Sequence, residues 1–368
     1  MNVRERFHAI CRFEKPDRPT RYEGWGFWPE TYARWHQEGL PETVCDHVFS
    51  APAHFGYDQL TWLPIAAADV EPGFCPRFDE AVLEETDTYI TKRDGAGKTV
   101  RVFTDGRSTL PQELDWPVKT LGDYEDLAWR LDPESPERFT TILDVFISMA
   151  NSLGDDNYTT SYVCGLFGTY RHLMGLVGMS VAIRRDPALL HAIARRWVEL
   201  NTAMLIKVRE KVPMDRVFFW EDMSYKNGPM ISPKVFREFM TPYYTELIKR
   251  VKGETDITVF SVDSDGNLDI LIPLFMETGI NMLSPFEVQA DMDIRRVRER
   301  YPDLIMFGGL DKRALAEDAA AIRREVMDKV PFMLERGGYI PGLDHWTPPE
   351  VSLKNFMTFL EMVRGLPA

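Results

Sequence analysis

The run Arg216-Val217-Phe218-Phe219-Trp220-Glu221-Asp222 decides the fold. Valine, phenylalanine and tryptophan crowd its first five positions, which reads as a short buried strand, and two acids follow at once. Downstream, Ser232-Pro233 places serine at a helix cap and proline in the first turn, and the helix is expected to run to about Val251. A second apolar run, Ile257–Val262, then leads into Asp263-Ser264-Asp265-Gly266-Asn267. Strand, helix and strand, with polar residues at the carboxyl end of each strand, is the βα unit of a parallel sheet.

The same unit recurs outward in both directions. Eight candidate strands stand out: Thr20–Trp25, Tyr57–Leu63, Tyr158–Cys164, Arg216–Trp220, Ile257–Val262, Asn281–Ser284, Leu304–Gly308 and Gly338–Pro341. Eight is the number a closed barrel needs. Between them, Pro187–Val212 repeats apolar residues at helical spacing through Leu189, Leu190, Ile193, Trp197, Leu200, Met204, Leu205 and Val208. Asp293 caps a helix over Ile294–Arg300, and Leu310–Val330 and Pro348–Arg364 are expected to be helical as well. The stretch Asp79–Pro117 breaks the pattern. Its alternating segments Val82–Arg93 and Lys98–Phe103 are joined at Asp94-Gly95-Ala96-Gly97, where glycine supplies the positive φ of a hairpin. The expectation is therefore an α/β protein: a single (β/α)₈ TIM barrel domain over residues 1–368, with an antiparallel β-hairpin insertion at 79–117 after the second strand.

Composition narrows the class of function. Hydrophobic residues make up 44% and charged residues 27%, which suits a soluble globular core. No apolar run approaches the roughly 18 residues of a membrane helix. Met1–Arg6 is charged and has no apolar core, so no signal peptide is expected there. Cys11, Cys45, Cys75 and Cys164 are far apart and form no Cys-x-x-Cys pair, so a cytoplasmic setting without disulfides is expected. The net charge of −14, with no basic stripe, argues against nucleic acid as a partner and serves solubility.

In parallel barrels the chemistry sits where strands end. Acids follow five successive strands here: Glu221 and Asp222, Asp263 and Asp265 with Asn267, Glu287, Asp311, and Asp344 with His345. A helix cap or a solvated loop explains any one of them alone. Adjacent pairs are not explained that way, and crowded carboxylates raise one another's pKa until one stays protonated as a general acid. The alternative is a hard cation held by Glu221, Asp263, Asp265, Asp344 and His345. Asp263–Asn267 begins like a calcium loop but lacks the later glutamate. His345 is equally explained as a tie for the loop before the last helix. Aromatic residues near strand ends, Trp25, Phe27, Trp28, Trp62, Tyr162, Trp220 and Tyr225, offer walls for a flat substrate, although Tyr32 and Trp35 fit simple packing of the first helix as well. Gly165-Leu166-Phe167-Gly168 after the third strand offers backbone N–H groups to a phosphate or carboxylate. Zinc-type Cys/His spacing, GxGxxG and a P-loop are all missing.

Several stretches resemble the uroporphyrinogen-decarboxylase superfamily. They are Arg4-Glu5-Arg6-Phe7 through Glu14-Lys15-Pro16-Asp17-Arg18-Pro19, Asn227 through Phe239 with Pro242-Tyr243, Asp265-Gly266-Asn267, Gly279-Ile280-Asn281, Gly308-Gly309-Leu310-Asp311 and Gly337-Gly338-Tyr339-Ile340. They fall in the expected order over nearly the whole chain, and the resemblance implies a (β/α)₈ barrel. True decarboxylases carry an arginine-rich Arg-Gln-Ala-Gly-Arg-Tyr stretch after the first strand. Trp25-Gly26-Phe27-Trp28-Pro29-Glu30 stands there instead, and the family's catalytic aspartate has no clear counterpart near Leu63-Pro64-Ile65. Zinc-dependent thiol methyltransferases of the superfamily use a His-x-Cys-Gly pattern and a later cysteine, where this chain has Asp263-Ser264-Asp265-Gly266 and Asp344.

The chain looks more like superfamily members that act as corrinoid-dependent methyltransferases of the O-demethylase type. That resemblance implies transfer of a methyl group from a methyl ether, a methoxylated aromatic, to a corrinoid (cobalamin) carried by a partner protein. Glu221, Asp263, Asp265 and His345 are then the catalytic candidates. Trp25, Phe27, Trp28, Trp62, Tyr162, Trp220, Asp222, Tyr225, Asn267, Glu287, Asp311 and Asp344 are the substrate-binding ones. A metal and a homodimer are left open, and no membrane partner is expected. The alternatives are a uroporphyrinogen decarboxylase and a binding barrel without catalysis.

Overall fold

Seven parallel strands curl into one sheet in the computed structural model of the protein, which describes residues 1–22, 25–65, 72–104, 111–139 and 141–367. They are β1 (Gln59–Pro64), β2 (Asn157–Cys164), β3 (Arg216–Trp220), β4 (Val259–Asp263), β5 (Met282–Ser284), β6 (Ile305–Phe307) and β7 (Tyr339–Ile340). Each pairs in parallel with the next, so spatial order equals chain order. Register sets Asp263 beside both Trp220 and Ser284, which brings successive strand ends to one rim.

Strand residues alternate between two environments because successive side chains point to opposite faces. Val217 and Phe219 face outward, and Phe219 packs its ring against Trp197 and Tyr244 of the helical layer. Arg216, Phe218 and Trp220 face into the curl. The lower end of the curl is filled by Tyr158, Val259, Met282, Ile305 and Ile340 together with Phe7 and Ile10 of helix α1 (Val3–Cys11). Phe7 stacks on Tyr158 at 4.4 Å, and Asn2 and Glu5 form a capping box that starts α1 under the sheet.

Seven of the expected strands lie in this sheet, and the described residues of the first, Thr20–Trp25, make no ladder. The reason is competition from a side chain distant in sequence. The Arg21 N–H donates to the Asp58 carboxylate at 2.9 Å instead of to a neighbouring strand. The segment still touches both edges: the Asp58 N–H donates to the Arg21 carbonyl at 2.7 Å, and Phe27 bridges Thr347. Glu23 and Gly24, inside this expected strand, lie outside the described residues.

Three expected helices also differ in extent. Pro233–Val251 is two helices, Pro233–Phe239 and Thr241–Glu254. Pro242 has no N–H for the Glu238 carbonyl, and the chain leaves helical geometry at Met240. Leu310–Val330 likewise divides into Lys312–Ala316 and Ala319–Arg336, the second restarted by Asp318, whose side chain accepts from the Ala321 N–H. The last helix begins at Leu353, behind a Ser352 cap, rather than at Pro348.

Between β1 and β2 the chain forms a separate antiparallel sheet of Ala81–Glu85, Tyr89–Arg93, Thr99–Phe103 and Gln112–Asp115. The stretch read as one strand over Val82–Arg93 is two strands. Thr86 turns the chain, its hydroxyl accepting from the Tyr89 N–H at 3.1 Å. Among the described residues no helix is long and apolar enough to cross a membrane.

Candidate active site

Glu221 follows β3, one residue beyond the inward-facing Trp220, so its side chain turns outward. It is fully buried against the start of helix α2 (Leu166–Arg185). One carboxylate oxygen accepts from the Leu166 N–H at 3.0 Å and from the Tyr244 hydroxyl, and the other from the Gly168 N–H at 3.0 Å. The anion-binding backbone expected at Gly165–Gly168 therefore holds an internal carboxylate. Gly165 is required by this approach, since a Cβ there would lie 2.3 Å from the Glu221 carboxyl carbon. Burial pushes the Glu221 carboxyl up to about 7, although Tyr244 and the N–H groups of Gly168 and Leu166 favour the ion.

Asp263 ends β4 and faces into the curl, 7% exposed. Among the described residues its Oδ1 has no hydrogen-bond partner. Burial, then the neighbouring Asp265 and Asp222 carboxylates, push it well above the usual carboxylate range, with the Arg216 charge pulling the other way. Asp265, two residues on, meets His345 with Nε2 and Oδ2 3.3 Å apart. The His345 ring lies parallel to Trp25 at 6.3 Å, and the Trp25 indole N–H donates to the Leu343 carbonyl at 3.1 Å. The rim thus carries one orphaned, protonation-prone carboxyl and, beside it, an imidazole–carboxylate pair.

The remaining acids fall into two groups. Glu287 stays at the rim, where burial and then Asp265 raise its pKa and its carboxylate accepts from the Gly266 N–H at 2.9 Å. Asp344 is fully buried and engaged by the Val288 N–H at 3.0 Å, the Lys312 N–H at 3.1 Å and the Lys312 ammonium at 3.4 Å. Asp222 pairs with Arg171 at 3.0 Å. Asp311 is a helix cap bonded to the Arg313 N–H and guanidinium, so it is spent on local structure. Asn267 bridges loops, its amide donating to the Ala290 carbonyl and its oxygen accepting from the Asp269 N–H.

The five residues offered as metal ligands do not converge. Glu221 and Asp344 are turned into separate hydrogen-bond nests, and among the described residues no three His, Cys, Asp or Glu side chains are placed to hold an ion.

Aromatic residues separate in the same way. Trp62 meets Phe218 edge-on at 5.0 Å, and Tyr162 lies 6.0 Å from Phe218, inside the curl. Trp25 stacks on Phe307 at 5.5 Å above them. Trp220 is covered by the Arg171 guanidinium at 4.7 Å. Trp28 and Tyr225 are exposed at 40% and 66%, Trp28 packing on Trp346 at 5.4 Å. Phe27 is no wall of the pocket. It is buried among Tyr32, Trp35, Phe55 and Phe356 in the helical layer.

Sequence reasoning missed Arg216, Phe218, Phe307, Lys312 and Tyr244. The signal for Arg216 and Phe218 was strand parity, since they share the inward face with Trp220. Residues 66–71, which follow β1 and include Asp69, lie outside the described residues.

A curled parallel α/β sheet with its polar groups gathered at strand ends defines a class of barrel-like α/β proteins. Within it, the chain belongs to the uroporphyrinogen decarboxylase (URO-D) family, whose pattern matches residues 101–366. A 137-residue stretch is 28% identical to the uroporphyrinogen decarboxylase of Hydrogenobaculum sp. (strain Y04AAS1), covering 36% of this chain and 38% of that one. The match to that relative thus spans well under half of its length. The fold is similar to that of a methyltransferase from Methanosarcina mazei, with a TM-score of 0.67 and 14% identity over 99% of this chain and 98% of that one.

Proposed function

We propose that the protein is a methyltransferase that takes a methyl group from a methoxylated aromatic ether for delivery to a corrinoid protein, with Asp263 as the general acid. The observation that carries this reading is the buried Asp263 carboxyl with a partnerless oxygen, raised in pKa, above aromatic walls. An ether is a poor methyl donor because its oxygen leaves as a basic anion, and a positioned proton removes that barrier. The methyl–oxygen bond breaks, the electron pair stays on oxygen, and the Asp263 proton moves to that oxygen. Asp265 and His345 then return a proton from solvent to Asp263. Trp62, Tyr162, Phe218 and Trp25 pack on the ring and keep water from the departing oxygen.

A reduced corrinoid supplies, when bound, the nucleophile that accepts the methyl group. The rim suits such a flat, largely apolar group, because Trp28, Trp346 and Tyr225 present aromatic surface there and would hold it. Among the described residues the acids form no ligand set for a metal. The expected first strand, Thr20–Trp25, is further read as the eighth stave that closes the sheet into a (β/α)₈ barrel, supported by the hydrogen bonds of Arg21 to one edge and the bridge of Phe27 to the other.

The test mixes the protein with reduced cobalamin and a panel of methoxylated aromatics and follows methylcobalamin by absorbance. Formation with at least one ether is expected. No transfer from any ether overturns the proposal, and decarboxylation of uroporphyrinogen at about one per second or faster would put the decarboxylase in its place.

A further inference from the structure

Among the described residues, four arginines are buried: Arg6, Arg138, Arg216 and Arg298. Arg6 pairs with the carboxylates of Asp17 and Asp58. Arg138 donates to the carbonyls of Asp132, Gly73 and Arg130, and Arg298 to those of Pro302, Leu304 and Gly338. Arg216 has neither kind of partner among the described residues. It is 2% exposed inside the curl, its Nε donates to the Thr160 hydroxyl at 2.9 Å, and Nη1 reaches only the Met282 sulfur at 4.0 Å. Its guanidinium lies 5.5 Å from the Trp62 ring centroid and 5.4 Å from that of Phe218.

A guanidinium has five N–H donors and cannot shed its charge. Burying it with one strong hydrogen bond is costly. The fold keeps it there, next to the aromatic wall and below the orphaned Asp263. A planar anion entering this space supplies the missing bidentate partner.

We infer that Arg216 is the subsite for a carboxylate of the substrate, so that the ligand is an aromatic carboxylate packed along Trp62 and Phe218. This rests on the proposed methyl transfer for the role of the ligand, which becomes a methoxylated aromatic acid. The register supports a ligand with polar groups at both ends. Arg216 stands level with Val259 and Asp263 with Trp220, four residues apart on adjacent strands, or about 13 Å of rise. Two side chains reaching toward each other and one ring fill that span. The charge of Arg216 also favours ionised Asp263. A bound carboxylate cancels it, so the ligand itself helps keep the proton on Asp263.

The experiment is a calorimetric titration of the full chain with benzoate and with benzamide, its neutral isostere, with no corrinoid and no methyl donor present. Benzoate is expected to bind at least about tenfold more tightly, the contribution of one charged hydrogen bond. Arg216→Gln should lose the preference and Arg216→Lys should keep part of it. Equal binding of the two ligands, no binding of either, or a preference retained in Arg216→Gln overturns the inference. If Arg216→Gln does not fold, the comparison on the unsubstituted protein decides alone. A benzoate preference without methyl transfer keeps the subsite and sinks the proposed activity. Methyl transfer from neutral ethers without a benzoate preference does the reverse.

Discussion

The Glu221 N–H donates to the Asp263 carbonyl at 2.9 Å, yet the two carboxyls end in different places. One is sunk against the N-terminus of α2 with its oxygens engaged, and the other looks into the curl with an oxygen left over. Two acids on neighbouring strand ends, with different surroundings, take different roles. Glu221 ties β3 to the start of α2, and Asp263 is the carboxyl that the proposed function assigns to chemistry.

Replacing Glu221 by glutamine should destabilise the fold without changing which ether is used. The amide nitrogen would face an N–H donor that now has a carboxylate oxygen, a cost of about 1–3 kcal/mol. The pH dependence should change too. Glu221 is raised from its ordinary 4.5 to about 7 in the fold, so its contribution to stability is complete below pH 4.5 and is lost as pH rises through 7. Denaturant melts across that window should slope downward in the parent and flatten in Glu221→Gln. Parallel slopes in both proteins would remove Glu221 as the source.

Asp263→Asn should lower methyl transfer by roughly 10²–10⁴-fold. Its melting temperature should hold or rise, because a buried, partnerless carboxyl is removed. The parent needs Asp263 protonated, so its kcat/KM should fall as pH rises through the raised pKa, and the substituted enzyme should lack this alkaline limb. Ethers with more acidic leaving phenols should suffer less from the change. Full activity toward an unactivated ether would exclude the acid role.

Asp265→Asn separates two roles. Its charge is the largest influence after burial that raises Asp263. Removing it should move the alkaline limb to lower pH while activity at low pH stays within about tenfold of the parent, since Asp263 remains protonated there. A loss of the same size at every pH would instead make Asp265 the proton donor. His345→Gln, which breaks the 3.3 Å contact with Asp265, should slow turnover without shifting the limb as far.

Gly165→Ala should destabilise by about 1–3 kcal/mol, because its Cβ would sit 2.3 Å from the Glu221 carboxyl carbon. Pairing it with Glu221→Ala should recover part of the loss, which a double-mutant cycle of melting midpoints would read. Strict additivity would mean that the two residues do not press on each other.

Much of this was legible in the chain. Apolar runs bounded by loop acids gave seven strands in their order, because strand burial on both faces leaves a local trace. Thr20–Trp25 misled because its amide is taken by Asp58, a partner far away in sequence. The split at Met240 was signalled by Pro242, within reach of local rules. At the site, Asp263, Asp265 and His345 do gather at the rim, whereas adjacency misplaced Glu221: consecutive strand residues face opposite ways, so a neighbour of inward Trp220 had to turn out. Asp311 was absorbed by a cap two residues long, and Phe27 by ring packing from three other segments, which no single stretch of sequence records.

Helix α1 has a consequence for kinetics. With Phe7 and Ile10 wedged against Tyr158, the described residues close the lower end of the curl, and on the proposed function a small ligand enters from the rim. A small ligand must pass through it before any macromolecule covers it, and must wait for that cover to lift before leaving. If the proposed methyl transfer holds, order of addition is expected to be compulsory, small ligand first and large partner last. Excess partner protein added early should act as a plug and slow the approach to steady state.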